Sequence, residues 1–123
     1  MKKLLALAAV SEAATGLVVL VYPPIVVSLL FGAEIAGAGI VMSRIAGISL
    51  IALGIACWPG SMAHRALYGM LAYCSLAMFY LAYLGGMGGG GILMWPAVAA
   101  HAGLSVLLVR AWWKGRRARG ANT

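Results

Sequence analysis

The stretch from Leu4 to Tyr22, LLALAAVSEAATGLVVLVY, is an apolar segment that contains a single acidic residue, Glu12. As a helix it would be about 28 Å long, close to the ~30 Å of bilayer hydrocarbon. A carboxylate near the centre of a bilayer costs about 2.5–3.5 kcal/mol on insertion scales. The stretch therefore predicts a transmembrane helix in which Glu12 needs a partner.

The rest of the chain has the same apolar character. Of its 123 residues, 64% are hydrophobic and 9% are charged, and the mean hydropathy is +1.02. Globular domains carry roughly 25% charged residues. This small number of charged side chains cannot cover a water-facing surface. We therefore predict a single membrane domain over residues 1–123, with the lipid bilayer as its main solvent.

Four apolar segments have about the 20 residues needed to cross a bilayer. They are residues 4–22, 37–58, 66–84 and 92–113. Proline and glycine residues fill the intervals between them, as expected for turns. The pattern predicts an all-α fold, an antiparallel four-helix transmembrane bundle with short connections.

The segment Ile25–Phe31, IVVSLLF, is too short to span a bilayer. Pro24 suits the first turn of a helix and Gly32 suits its end. We expect a short interfacial helix after the first span. The alternative is that this segment extends the first span beyond a proline kink.

The net charge of +7 is concentrated at the chain ends and in one loop. The basic residues concerned are Lys2, Lys3, Arg65, Lys114, Arg116, Arg117 and Arg119. With four spans they all fall on one side of the membrane, which predicts that both termini are cytoplasmic. The basic tail, residues 114–123, is expected to lie against anionic lipid headgroups, and nucleic-acid binding is not predicted.

A second interpretation of the N-terminus is a signal peptide cleaved near Ser11-Glu12-Ala13. The apolar run resumes at once with Ala14 and continues to Tyr22, which favours a membrane span.

Small residues mark two helix faces. Gly39, Ser43 and Gly47 recur every four residues in the second span, and Gly16 lies one turn from Glu12 in the first. Such faces allow transmembrane helices to approach closely. Packing within the bundle is the simpler interpretation, and a dimer face is the alternative.

Further polar residues are predicted to lie at depths compatible with that of Glu12. Arg44 cannot lose its proton, so inside lipid it must pair or reach outward. We expect an Arg44–Glu12 pair, in which Glu12→Gln is more harmful than Arg44→Gln because only the carboxyl group can neutralise itself. The alternative for Arg44 is a lipid phosphate or Glu34 at the outer face.

His101 near the middle of the fourth span, with Tyr73 and Tyr80 on one stripe of the third, would complete an intramembrane polar cluster. The cluster is either a clasp, meaning a polar contact that fixes helix register, or a working site for protons or for a quinone or lipid headgroup. The His and Cys residues lack metal-ligand spacing, and there is no C-x-x-C motif, so no metal and no cofactor is predicted, with quinone possible.

The second span contains SRIAGISLIALGIACWPG, residues 43–60. An arginine followed by Gly-x-x-Leu and an apolar run with Leu-Gly resembles the DoxX-like four-helix membrane proteins of bacteria. The resemblance implies a small bacterial inner-membrane bundle in which Arg44 is a site residue. Some members of that family are linked to quinone-coupled redox complexes.

These features favour a non-enzymatic structural or accessory subunit that packs with itself or with a larger membrane complex. A chain this hydrophobic has no water-facing domain in which to hold a soluble substrate. The alternatives are a quinone- or proton-linked redox subunit and, as an oligomer, a small-solute transporter.

Overall fold

The computed structural model describes residues 1–121, and within that range it is all α-helical. The five helices are α1 (Lys2–Val21), α2 (Pro23–Phe31), α3 (Ala38–Ala56), α4 (Ala63–Gly86) and α5 (Met94–Gly120). Helices α1, α3, α4 and α5 are long and apolar enough to cross a membrane. The all-α class and the four long apolar helices are thus confirmed.

The basic tail continues α5 as far as Gly120, well beyond the predicted end of the last span at residue 113. Residues 122 and 123 of the predicted tail lie outside the described residues.

The predicted short helix is a separate element. Tyr22 leaves the helical conformation, and α2 then begins with Pro23 and Pro24. Proline has no backbone N–H, but in the first turn of a helix that N–H would have no partner within the helix. Gly32 ends α2 with a φ of +65°, a conformation that glycine adopts without steric cost. The alternative of one long helix bent at the prolines is therefore wrong.

Helix α1 lies between α3 on one side and the α4–α5 pair on the other. The buried core is built where α1 meets α4 and α5. Its fully or almost fully buried members are Leu5, Ala8, Ala9, Cys57, Leu67, Met70, Cys74 and Leu108. The main neighbour of α3 is α1, so α3 is a peripheral helix.

Glycines set the spacing between α1 and α3. A Cβ atom on Gly16 would lie 2.6 Å from the carbonyl oxygen of Gly47, and one on Gly47 would lie 2.6 Å from the carbonyl oxygen of Gly16. Further along the crossing, a Cβ on Gly54 would lie 2.6 Å from the carbonyl oxygen of Ala9. These distances are too short for any side chain, so the two backbones touch directly.

Gly39, another member of the predicted small-residue face, lies outside this crossing. A Cβ on Gly39 would make only an ordinary contact with Ile35, at 3.5 Å. Ser43 is half-buried. Gly54, seven residues after Gly47 and therefore on the same helix face, makes the second close contact with α1. The predicted four-residue repeat included Gly39 and did not include Gly54.

Side-chain contacts join α4 and α5 along their length. Trp112 Nε1 donates to the Tyr68 hydroxyl at 3.0 Å. Ser75 Oγ lies 3.5 Å from Ser105 Oγ. Residues early in α4 therefore meet residues late in α5.

Gly47→Ala is expected to destabilise the protein by about 1–3 kcal/mol, because the new methyl group meets the backbone of α1, which cannot move aside. Gly39→Ala is the matched control, since it adds the same methyl group to the same helix without a close contact. Thermal unfolding of both variants in mild detergent measures the difference. Equal stability of the two would contradict a backbone contact at Gly47.

Candidate functional site, a buried Glu12–His101 pair

Glu12 lies halfway along α1 and is 5% exposed. Its neighbours on the buried face of α1 are small residues, Ala8, Ala9 and Gly16. Ala8 and Ala9 belong to the core shared with α4 and α5 and leave room for those helices, whereas Gly16 meets α3. The expectation that Glu12 faces other helices is consistent with this placement.

His101 of α5 is the ionisable partner of Glu12. Its Nε2 atom lies 3.8 Å from Glu12 Oε1. Its Nδ1 atom lies 2.8 Å from the carbonyl oxygen of Ala97, one turn earlier in the same helix. A carbonyl oxygen only accepts, so Nδ1 holds a hydrogen and donates it to Ala97.

This hydrogen bond determines what Nε2 presents to Glu12. In a neutral imidazole with its hydrogen on Nδ1, Nε2 is a lone-pair acceptor. A carboxylate is also an acceptor, so the two groups would repel unless one proton lies between them. A proton on either group, giving imidazolium with carboxylate or imidazole with carboxylic acid, would make this contact favourable and leave the pair without net charge.

Tyr73 of α4 completes the site. Its ring meets the His101 ring edge to face, with centroids 5.9 Å apart and an interplanar angle of 62°. Its side chain is also an electrostatic neighbour of the Glu12 carboxyl group. One polar group from each of α1, α4 and α5 thus converges in the interior.

The predicted Arg44–Glu12 pair is not formed. Arg44 is exposed, and within residues 1–121 its guanidinium has no ion-pair partner. The α1–α3 crossing explains the separation. Gly16 meets Gly47 and Ala9 meets Gly54, so Glu12 lies opposite the part of α3 around residue 51. Arg44 is seven residues away from that point, about 10 Å along the helix axis.

Tyr80 is also placed away from the cluster. It is 63% exposed, whereas Tyr73 is half-buried against the core. Tyr80 lies two helical turns, about 10 Å, further along α4, and it is not a member of the buried core. Sharing a helix face with Tyr73 was therefore insufficient to bring it to Glu12.

The predicted headgroup residues lie at the far end of α5. Arg116 stacks over Trp112 and Arg119 contacts His64, whereas Lys114 and Arg117 are exposed without such contacts. Metal ligands are not clustered in the described part of the chain: no group of three or more His, Cys, Asp or Glu residues is placed to hold an ion.

No family model, curated protein or solved structure matches the chain.

The contact between Glu12 and His101 predicts that substitutions of the two residues have non-additive effects on the free energy of unfolding. Glu12→Met and His101→Phe should each destabilise the protein by about 1–3 kcal/mol, because each leaves the other polar group buried without its partner. The double variant should recover about 0.5–2 kcal/mol of the summed loss. Thermal unfolding of the four proteins in detergent gives the coupling.

Arg44→Met combined with Glu12→Met is the control for this cycle. The two sites are about 10 Å apart along the helix axes, so their effects should add to within about 0.5 kcal/mol. Strong coupling of Glu12 to Arg44, with none to His101, would show that the pair assigned here is wrong.

Proposed function

We propose that the protein is a non-enzymatic accessory subunit of a larger membrane complex, formed by four transmembrane helices in antiparallel order with both termini in the cytoplasm. The four long apolar helices and the concentration of basic residues support the membrane location and orientation. The observation on which the subunit role depends is the exposed Arg44 on the peripheral helix α3.

The outward face of α3 has the spacing of a helix–helix contact. Exposed apolar residues follow one another at alternating intervals of four and three positions, the period of a packed helix seam. They are Val41, Ile45, Ile48, Ala52 and Ile55. A different face of α3 packs on α1, through Gly47 and Gly54.

Arg44 borders this outward seam, about 9 Å along the helix from its first residue, Ala38. A guanidinium cannot deprotonate, so at this depth it requires a counter-charge. A second copy packed on the same face would have its helix parallel to this one and would set Arg44 against Arg44. The occupant we propose is instead a helix of a different membrane protein with an acidic residue at that depth.

In this role the Glu12–His101 pair is a clasp. It joins α1 to α5, and with Tyr73 to α4, while the glycine crossing joins α1 to α3. A fixed α1 holds α3 at a set position, so the outward seam is presented as a rigid surface. The likeness to DoxX-like proteins and a bacterial inner-membrane location stay predictions.

Extraction of the full-length protein from its native membrane in mild detergent, followed by native mass measurement, tests the subunit role. The particle should be heavier than the 12.7 kDa chain and contain a second protein. Arg44→Gln and Ile48→Trp should each release that protein. Leu76→Trp, on the exposed face of α4, is the matched control and should retain it.

A particle that contains one chain and lipid, and that is unchanged in all three variants, would contradict the subunit role. That result would indicate that Arg44 is paired with a lipid phosphate. A particle of two copies would contradict the like-charge argument against self-association through α3.

A second candidate function is proton-linked. It is favoured by one observation, the buried His101 Nε2 atom, which has no hydrogen-bond partner and faces a carboxyl group 3.8 Å away. Two groups that can each take up a proton, 3.8 Å apart in an apolar interior, form a minimal relay. The clefts at the two ends of the helices are not lined by His101, so a bound quinone has no comparable support.

Proton flux into vesicles reconstituted with the purified chain tests the second candidate. Under an imposed pH gradient, the internal pH should change faster than in protein-free vesicles. Glu12→Gln should return the rate to the protein-free level because the amide cannot take up a proton. Arg44→Gln should leave the rate unchanged, and a wild-type rate equal to that of protein-free vesicles would refute the relay.

A further inference from the structure

A cleft of about 560 Å³ lies where the start of α4 meets the end of α5. It is lined by His64, Tyr68, Trp112, Arg116 and Arg119. Two arginines, an imidazole, a phenol and an indole therefore surround one space.

The side chains of the cleft hold one another in place. Trp112 Nε1 donates to the Tyr68 hydroxyl at 3.0 Å, which fixes the indole across the two helices. The Arg116 guanidinium lies over the Trp112 ring, 4.8 Å from its centroid. Arg119 contacts the His64 ring nitrogen Nε2, which accepts when the imidazole is neutral. Both guanidinium groups are thus positioned by aromatic partners before any ligand binds.

The cleft has positive charge without an acidic side chain to balance it. The chain contains two acidic residues. Glu12 is buried halfway along α1, and Glu34 follows α2, which is bonded to the opposite end of α5 through Gly91 and Leu93. Arg116 and Arg119 are exposed and have no carboxylate side chain beside them, so the cleft can bind an external anion.

The position of the cleft favours a lipid anion. Helix α5 has 27 residues and is about 40 Å long, so it extends beyond the ~30 Å hydrocarbon layer. Trp112 lies where the apolar part of α5 ends and the basic part begins, the position of an interfacial aromatic anchor. A phosphate at the membrane surface would meet the arginines while its acyl chains follow the apolar faces of α4 and α5.

We propose that this cleft binds the phosphate group of an anionic phospholipid, with Arg116 and Arg119 as charge-assisted donors and Trp112 as the wall that orients Arg116. This proposal rests on the membrane location proposed above and is independent of the partner on α3. Free phosphate offers the same chemistry, so the test includes both sources.

The delipidated full-length chain in non-ionic detergent is titrated with phosphatidylglycerol, phosphatidylcholine and inorganic phosphate, and bound ligand is counted by native mass spectrometry. One phosphatidylglycerol per chain should bind about tenfold or more tightly than either of the others. Equal binding of phosphatidylcholine would overturn an anionic site. Equal binding of inorganic phosphate would overturn the lipid as the ligand.

Paired substitutions separate the cleft from general charge attraction. Arg116→Gln with Arg119→Gln should weaken phosphatidylglycerol binding about tenfold or more. Lys114→Gln with Arg117→Gln removes the same charge from the same tail but outside the cleft, and should change the affinity by about twofold or less. An equal loss in the two double variants would overturn the cleft.

Arg116→Lys tests the geometry while the charge stays constant. Lysine lacks the planar guanidinium that stacks on Trp112 and binds phosphate with two hydrogen bonds, so the affinity should fall about threefold or more. Unchanged affinity would overturn the positioned arginine. Thermal unfolding of each variant confirms that a lost affinity reflects the site and not the fold.

Discussion

A carboxyl group in an apolar interior is the constraint on which this structure depends. Glu12 is almost fully buried in the middle of an apolar helix, where an unpaired carboxylate would be costly. The fold places His101 of α5 and Tyr73 of α4 beside it, with His101 Nε2 3.8 Å from Glu12 Oε1 and the Tyr73 ring against the imidazole. The contacts among these three side chains link α1, α4 and α5 to one another.

The same helix meets a second requirement on another part of its surface. Small residues beside Glu12 admit α4 and α5, and Gly16 admits the backbone of α3 at Gly47. Helix α1 can therefore be the central helix, because its side chains are small both where it meets α4 and α5 and where it crosses α3. In the proposed membrane location, apolar burial would give little net driving force between helices, so close packing and polar contacts would be the main sources of association.

Charges that the fold leaves unbalanced indicate where other molecules would attach. The chain has nine basic residues and two acidic ones, and one of the acidic residues is taken up by the internal pair. Arg44 on the outer face of α3 and the arginines of the α4–α5 cleft are far from each other and lie in different surroundings. The first borders an apolar helix seam and the second borders a tryptophan at the end of the apolar part of α5, so we assign them to different ligands.

Composition and periodicity by themselves determined the helix class, the number of long apolar helices, the short helix after the prolines and the burial of Glu12. These features depend on local sequence: apolar run length, proline and glycine at helix ends, and small residues one turn from a charge. The partner of Glu12 was decided only by the tertiary structure. Arg44, His101 and Tyr80 all had suitable chemistry and roughly suitable depth, but the glycine contacts fix the register of α1 on α3 and set Arg44 about 10 Å away from the level of Glu12. Sequence spacing gives positions along one helix, whereas the pairing of side chains depends on the offset and rotation between helices, which packing alone sets.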